Sequence, residues 1–229
     1  MAKTTTIQSN EDYGFYDKAV DVIVRPQNIL AQIQHKPNLF LPLVWITLST
    51  IVLYLIFTPT LAVRLEEVFI AAGLTNVSRL TVLILIFAGV LGLFQALIVS
   101  IAGGLLTHGL AYIMGGKGSV HQTTALYITA TAIPGCVKAI IVAVIALFGG
   151  VEQAPIGLSN ILVSGTSDIR SIIVAMIDPF FLWSNLLLAI GLVIIHKMSW
   201  IRAATLVILL FILSSIAVFA SVMFTTQLS

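Results

Sequence analysis

Residues 80–114 read LTVLILIFAGVLGLFQALIVSIAGGLLTHGLAYIM, a run without a single Asp, Glu, Lys or Arg. A helix needs about 20 mainly apolar residues to cross the hydrocarbon of a bilayer, and this run is longer than that. Such a helix is apolar all round, so it belongs in lipid or at the centre of a large core. Composition decides between the two. Of 229 residues, 59% are hydrophobic and 9% are charged, against about 25% charged in soluble domains. A domain of this size cannot hide so much apolar side chain from water. The sequence is that of an all-α integral membrane protein. Eleven Lys+Arg against nine Asp+Glu give a formal charge of +2, and no basic stripe forms, so nucleic acid is excluded as a partner. The single cysteine, Cys136, excludes a disulfide framework and a thiolate metal cluster. The opening MAKTTTIQSNEDYGF is polar and partly acidic, which predicts no cleaved secretory signal.

Working outward from that run, five stretches are apolar enough to span, at about residues 39–57, 80–114, 122–148, 179–195 and 201–224. Thr58-Pro59 is read as closing the first, and Gly115-Gly116 as closing the second. Orientation follows from Lys and Arg in the short flanks. With the N-terminus inside, Lys3, Lys18, Arg25, Lys36, Lys117, Lys197 and Arg202 lie inside, against Arg64, Arg79 and Arg170 outside. This predicts a cytoplasmic N-terminus, an external C-terminus and an odd number of spans. The chain then divides into a tail, residues 1–38, and a membrane domain, residues 39–225. In the tail, Pro26 to His35 reads as a short surface helix with proline in its first turn, and the first dozen residues read as disordered. Residues 60–79 place Leu61, Leu65, Val68, Phe69 and Ala72 opposite Arg64, Glu66 and Glu67, which predicts an interfacial helix. Residues 149–171 read as an irregular outer loop, and Ile169 to Ile177 as lying at the outer interface.

Ala88, Gly92, Ala96, Ser100 and Gly104 recur at every fourth position of the second span. That stripe lets another backbone approach closely. It serves either a partner or pore face, or ordinary packing against the later spans. Gly115-Gly116-Lys117-Gly118-Ser119 invites comparison with a phosphate-binding loop. The comparison fails, because Ala111 stands where that motif needs its first glycine and Gly118 where it needs Ser or Thr. The stretch reads instead as a tight helix–helix turn, with Ser119 and Gln122 forming a capping box for the next span.

Lys138 lies within the third span, where a bare charge is costly and marks a pathway or a partner. It is open to three readings: snorkelling to the outer headgroups, an ion pair with Asp178, or a transport role. Asp178-Pro179 also has the form of a helix N-cap followed by a first-turn proline. His108, Gln95 and Asn185 are polar residues within spans, and interhelical hydrogen bonds are the expected explanation. His108 has neither His nor carboxylate three or four positions away, which argues against a metal site. No Ser-His-Asp order, paired intramembrane carboxylates or HExxH occurs. The chain is expected to be no enzyme and to need no cofactor.

The succession Met114-Gly115-Gly116-Lys117-Gly118-Ser119, then Ala132-Ile133-Pro134, then Asp178-Pro179-Phe180-Phe181-Leu182-Trp183 leading into Ala189-Ile190-Gly191-Leu192, resembles the Yip (Ypt-interacting protein) domain family over about residues 20–220. The resemblance implies a five-span bundle with a cytoplasmic N-terminus. Eukaryotic members are linked to small GTPases and to traffic between endoplasmic reticulum and Golgi. Without a long domain ahead of its first span, this sequence is more similar to the short bacterial members. One of those is the membrane subunit of a four-component ABC exporter involved in resistance to a secreted toxic peptide.

The expectation is thus a non-enzymatic subunit of a bacterial plasma membrane that packs against other membrane proteins, an ABC permease or adaptor foremost, with homo-oligomers open. Two rival readings stand beside it. The first is a stand-alone small-solute transporter or channel, motivated by Lys138 and Pro134. The second is a membrane-shaping or trafficking protein of the Yip type, motivated by the two surface helices.

Overall fold

The computed structural model of the protein describes residues 26–75, 77–149 and 178–227. Among these residues six α-helices occur in chain order: α1 Pro26–His35, α2 Phe40–Ala71, α3 Ser78–Ile113, α4 Val120–Gly149, α5 Pro179–His196 and α6 Trp200–Gln227. No strand occurs among the described residues. The helices α2 to α5 are long and apolar enough to cross a membrane, and α6 carries a shorter described apolar stretch, Trp200–Ile216. The tail's first dozen residues, the loop 149–171 beyond Gly149 and the segment 169–177 lie outside the described residues.

Each turn has a local cause. At the end of α3, Gly115 takes φ +84°. The Gly116 N–H then reaches Ala111 O at 2.8 Å and the Gly115 N–H reaches Tyr112 O at 3.0 Å. This is a Schellman closure, and it satisfies two of the carbonyls a helix end leaves open. Gly73, φ +80°, repeats it at the end of α2, with Leu74 N–H on Phe69 O at 3.0 Å. The α4 helix opens on a reciprocal capping box: Ser119 N–H donates to Gln122 Oε1 at 2.9 Å and Gln122 N–H to Ser119 Oγ at 3.3 Å. The α5 helix opens on Asp178, whose Oδ1 accepts the Phe180 N–H at 2.9 Å, with Pro179 in the first turn.

The structure corrects two expectations. Thr58-Pro59 does not end the first apolar helix, which runs on through Pro59 to Ala71, so no separate interfacial helix occupies residues 60–71. A proline inside a helix costs about 3 kcal/mol in water. Breaking the helix in an apolar setting would strand more backbone groups than the one lost at Pro59, so the helix continues. Next to the proline, the Thr58 hydroxyl donates to Tyr54 O at 2.7 Å. The second correction concerns α1. Its apolar residues Leu30 and Ile33 are buried in the core rather than turned to a membrane surface. The Gln122 side chain donates to Gln34 O at 2.6 Å and so fixes the end of α1 to α4. The face proposed to shape membranes is already spent on packing.

The core gathers around α5. Leu187, Leu188, Leu192 and Ile195 of α5 meet Leu126 and Ala130 of α4, Leu30 of α1 and Leu206 of α6. Gly191 lets the Leu126 side chain lie directly on the α5 backbone. Phe181 and Phe211 stack α5 on α6, with ring centroids 5.6 Å apart. By contrast α2 contains no buried residue. The outward faces of α2 and α3 expose Leu48, Leu55, Leu83, Phe87, Phe94 and Ile98, as side chains facing lipid do.

Candidate functional site

Three features carry the polar groups of the bundle: a node at the α3–α4 loop, an ion pair at the opposite end of α5, and a groove between them. The node centres on His196, the last residue of α5, which is only 1% exposed. Its Nδ1 accepts the Gly118 N–H at 3.1 Å. The proton of the neutral ring is therefore assigned to Nε2, which lies 2.7 Å from Thr123 Oγ1. Thr123 donates its own proton to Ser119 O at 2.9 Å. The Nδ1 of His108, 3.1 Å from that hydroxyl, is then assigned as its second donor. Two spans and a loop thus converge on one threonine oxygen.

The loop Gly115, Gly116, Lys117 and Gly118 wraps around His196 because glycine leaves room. A Cβ on Gly116 would stand 2.5 Å from His196 Nδ1, and one on Gly118 would stand 2.8 Å from Ile195 and 3.0 Å from the His196 ring. The backbone N–H groups of this loop all have internal acceptors. Those of Gly115 and Gly116 go to α3 carbonyls, that of Lys117 goes to His196 O at 3.2 Å, and those of Gly118 and Ser119 go to His196 and Gln122. A phosphate cradle needs free amides. The loop is a clasp on α5.

At the other end, Lys138 of α4 pairs with Asp178 Oδ2, the one ion pair among the described residues. The side chains are 25% and 11% exposed. Asp178 therefore caps α5 with one oxygen and holds α4 with the other.

The small-residue stripe divides. Ser100 and Gly104 are buried, and a Cβ on Gly104 would meet Thr124 Cα at 2.8 Å, so α3 and α4 touch backbone to backbone there. Ala96 and Ser100 line an open groove of about 290 Å³ with Ile46, Ser49, Tyr127 and Thr131. Further along, Ala88 is exposed and a Cβ on Gly92 would meet nothing within 4 Å. The α2–α3 contact falls on Gly89 instead, where the Tyr54 ring lies against the backbone and its hydroxyl donates to Leu85 O. Gln95 is exposed, and Asn185 donates to Phe181 O of its own helix at 2.8 Å. Of the three polar span residues singled out from sequence, only His108 bonds across helices. His196 and Thr123 escaped the sequence reading. The available signal was a histidine ending an apolar span at Lys197, opposite a glycine-rich turn.

A bundle of long apolar helices, with its charges paired or gathered at the ends, defines a multi-pass helical membrane protein. Residues 20–222 match the Yip1 domain, and the chain belongs to that family. No curated protein and no solved structure matches it.

Proposed function

We propose that this Yip1 domain protein is a non-enzymatic accessory or assembly subunit of a membrane complex. Its partners on this reading are the permease or adaptor of an ABC-type exporter in a bacterial plasma membrane, and its role is in export of, or resistance to, a toxic peptide. The five-span arrangement with a cytoplasmic N-terminus is part of the same proposal. The observation that carries it is the divided stripe on α3. Gly104 is taken up by α4, whereas Ala88 and Gly92 remain open next to a groove, lined by Ala96 and Ser100, that side chains of a neighbouring helix can enter. The lack of an enzymatic role is supported by the polar side chains, since Lys138, Asp178, His108, Thr123 and His196 hold helices together.

The test is co-purification in mild detergent with an exporter whose genes adjoin that of this chain. Recovery of the intact protein alone, under conditions that keep the exporter assembled, would refute the proposal. A second reading, a transporter acting alone, rests on Pro134 inside α4 and on the groove beside it. Solute flux in liposomes containing only this chain would favour that reading.

A further inference from the structure

At the loop end of the bundle three exposed cations converge. The Lys117 N–H donates to His196 O at 3.2 Å, which sets Lys117 beside Lys197. Arg202 reaches back to the same loop, where a Cβ on Gly115 would lie 3.7 Å from its Nη1. No ion pair engages any of the three among the described residues. The described acids, Glu66, Glu67 and Asp178, all belong to the opposite end.

Lys197 adds an independent observation. It takes φ +53°, the only positive φ at a non-glycine residue among those described. A left-handed residue after a helix is ordinarily glycine, because a Cβ there crowds the backbone. The same chain uses Gly73 and Gly115 to end α2 and α3. Attraction to the C-terminal end of α5 offsets part of the cost of lysine. A strained backbone kept in spite of an available glycine points to a task for the side chain.

The surroundings indicate where that task lies. Tyr112 and Trp200 are 71% and 56% exposed, and Ile113 and Ile201 beside them are 80% exposed. Amphipathic aromatics over an apolar belt mark the headgroup level of a bilayer. The cations thus stand where lipid phosphates lie. The loop amides are spent internally, so recognition rests on charge alone. We propose that Lys117, Lys197 and Arg202 bind anionic phospholipids through their phosphate in the leaflet at the loop end, selecting them over zwitterionic lipids by the net charge of the headgroup and not by its particular alcohol.

The experiment uses the full chain, purified and analysed by native mass spectrometry with equimolar phosphatidylglycerol and phosphatidylcholine. The wild type should retain phosphatidylglycerol preferentially. A basic residue near an anionic surface contributes about 1 kcal/mol, roughly five-fold in affinity. Lys197→Gly should therefore lower the preference about five-fold while leaving Tm unchanged or higher, because it relieves the backbone. The triple variant K117Q/K197Q/R202Q should abolish the preference. The control R64Q/R79Q, which removes charge at the other end, should keep it. The proposal is overturned by a wild type without preference, by equal loss in the control, or by an unchanged preference in Lys197→Gly. Displacement of the lipid by millimolar inorganic phosphate would overturn it too, by making the site one for a soluble anion.

Discussion

Lys138 and Asp178 bind α4 to α5 at one end while Thr123 and His196 bind the same two helices at the other. The two clasps are separated by the length of α5, 18 residues or about 27 Å. Slippage by one helical turn, about 5.4 Å, would break both at once. Register is thus set by polar contacts that the interchangeable apolar side chains between them do not supply.

The first prediction concerns the pair. Lys138→Met leaves a mostly buried carboxylate without its counter-charge, and Asp178→Asn keeps a capping oxygen but strands the ammonium. Each single change should lower stability by about 1–3 kcal/mol, below the 3–5 of a fully buried pair because Lys138 is partly exposed. The double variant should lose less than the sum of the two. Thermal unfolding in detergent measures this coupling, and strict additivity would show that the pair contributes nothing.

Two glycines one stripe apart should behave oppositely. Gly104→Leu drives a side chain into Thr124 and should abolish folded yield. Gly92→Leu has open space and should fold normally, with a small gain in helix propensity. If a partner helix seats on the open part of the stripe, Gly92→Leu loses co-purification alone. Normal complex formation by Gly92→Leu would place the partner elsewhere.

At the clasp, His196→Ala removes the acceptor of the Gly118 N–H and a donor to Thr123. Buried groups left unpaired cost roughly 1–3 kcal/mol each, so Tm should fall by several degrees. Gly118→Ala should act in the same direction by crowding Ile195 and His196, whereas Gly109→Ala, with nothing within 4 Å of its Cβ, should be neutral or stabilising. Equal Tm values for Gly118→Ala and Gly109→Ala would contradict the close approach.

Topology is open to cysteine labelling in a Cys136→Ser background, which keeps a donor for Trp45 O. Cysteines at Lys117 and Lys197 should label from one side of the membrane and a cysteine at Thr75, in the α2–α3 turn, from the other. Labelling of all three from the same side would break the proposed arrangement.

Helix class and most helix ends were legible because their signals are local. Unbroken apolar runs, Asp178-Pro179, Ser119 with Gln122, and Gly115-Gly116 each act within a few residues. The end of α2 was not legible, because Thr58-Pro59 stops helices in water and the alternative there is solvated backbone. The docking of α1 was hidden for a related reason: its amphipathic pattern fits a membrane surface and a protein groove equally. His196 went unread because its three partners lie on other segments, more than seventy residues away in the case of Gly118 and Thr123. The ion pair was legible only as one of several options, since its geometry depends on where α5 begins relative to α4.

The helices differ greatly in length, 36 residues in α3 against 18 in α5, or about 54 Å against about 27 Å. A hydrocarbon layer of about 30 Å matches α5 and falls far short of α3. The molecule therefore combines two helix lengths, a short α5 at the centre of its core and long α2 and α3 that face lipid. The lipid around α2 and α3 must stretch, or those helices must tilt, at a fraction of a kcal/mol for each ångström of misfit. A neighbour that covered α3 would remove part of that cost. Membrane thickness itself thus becomes a variable in how readily this protein accepts a neighbour along α3.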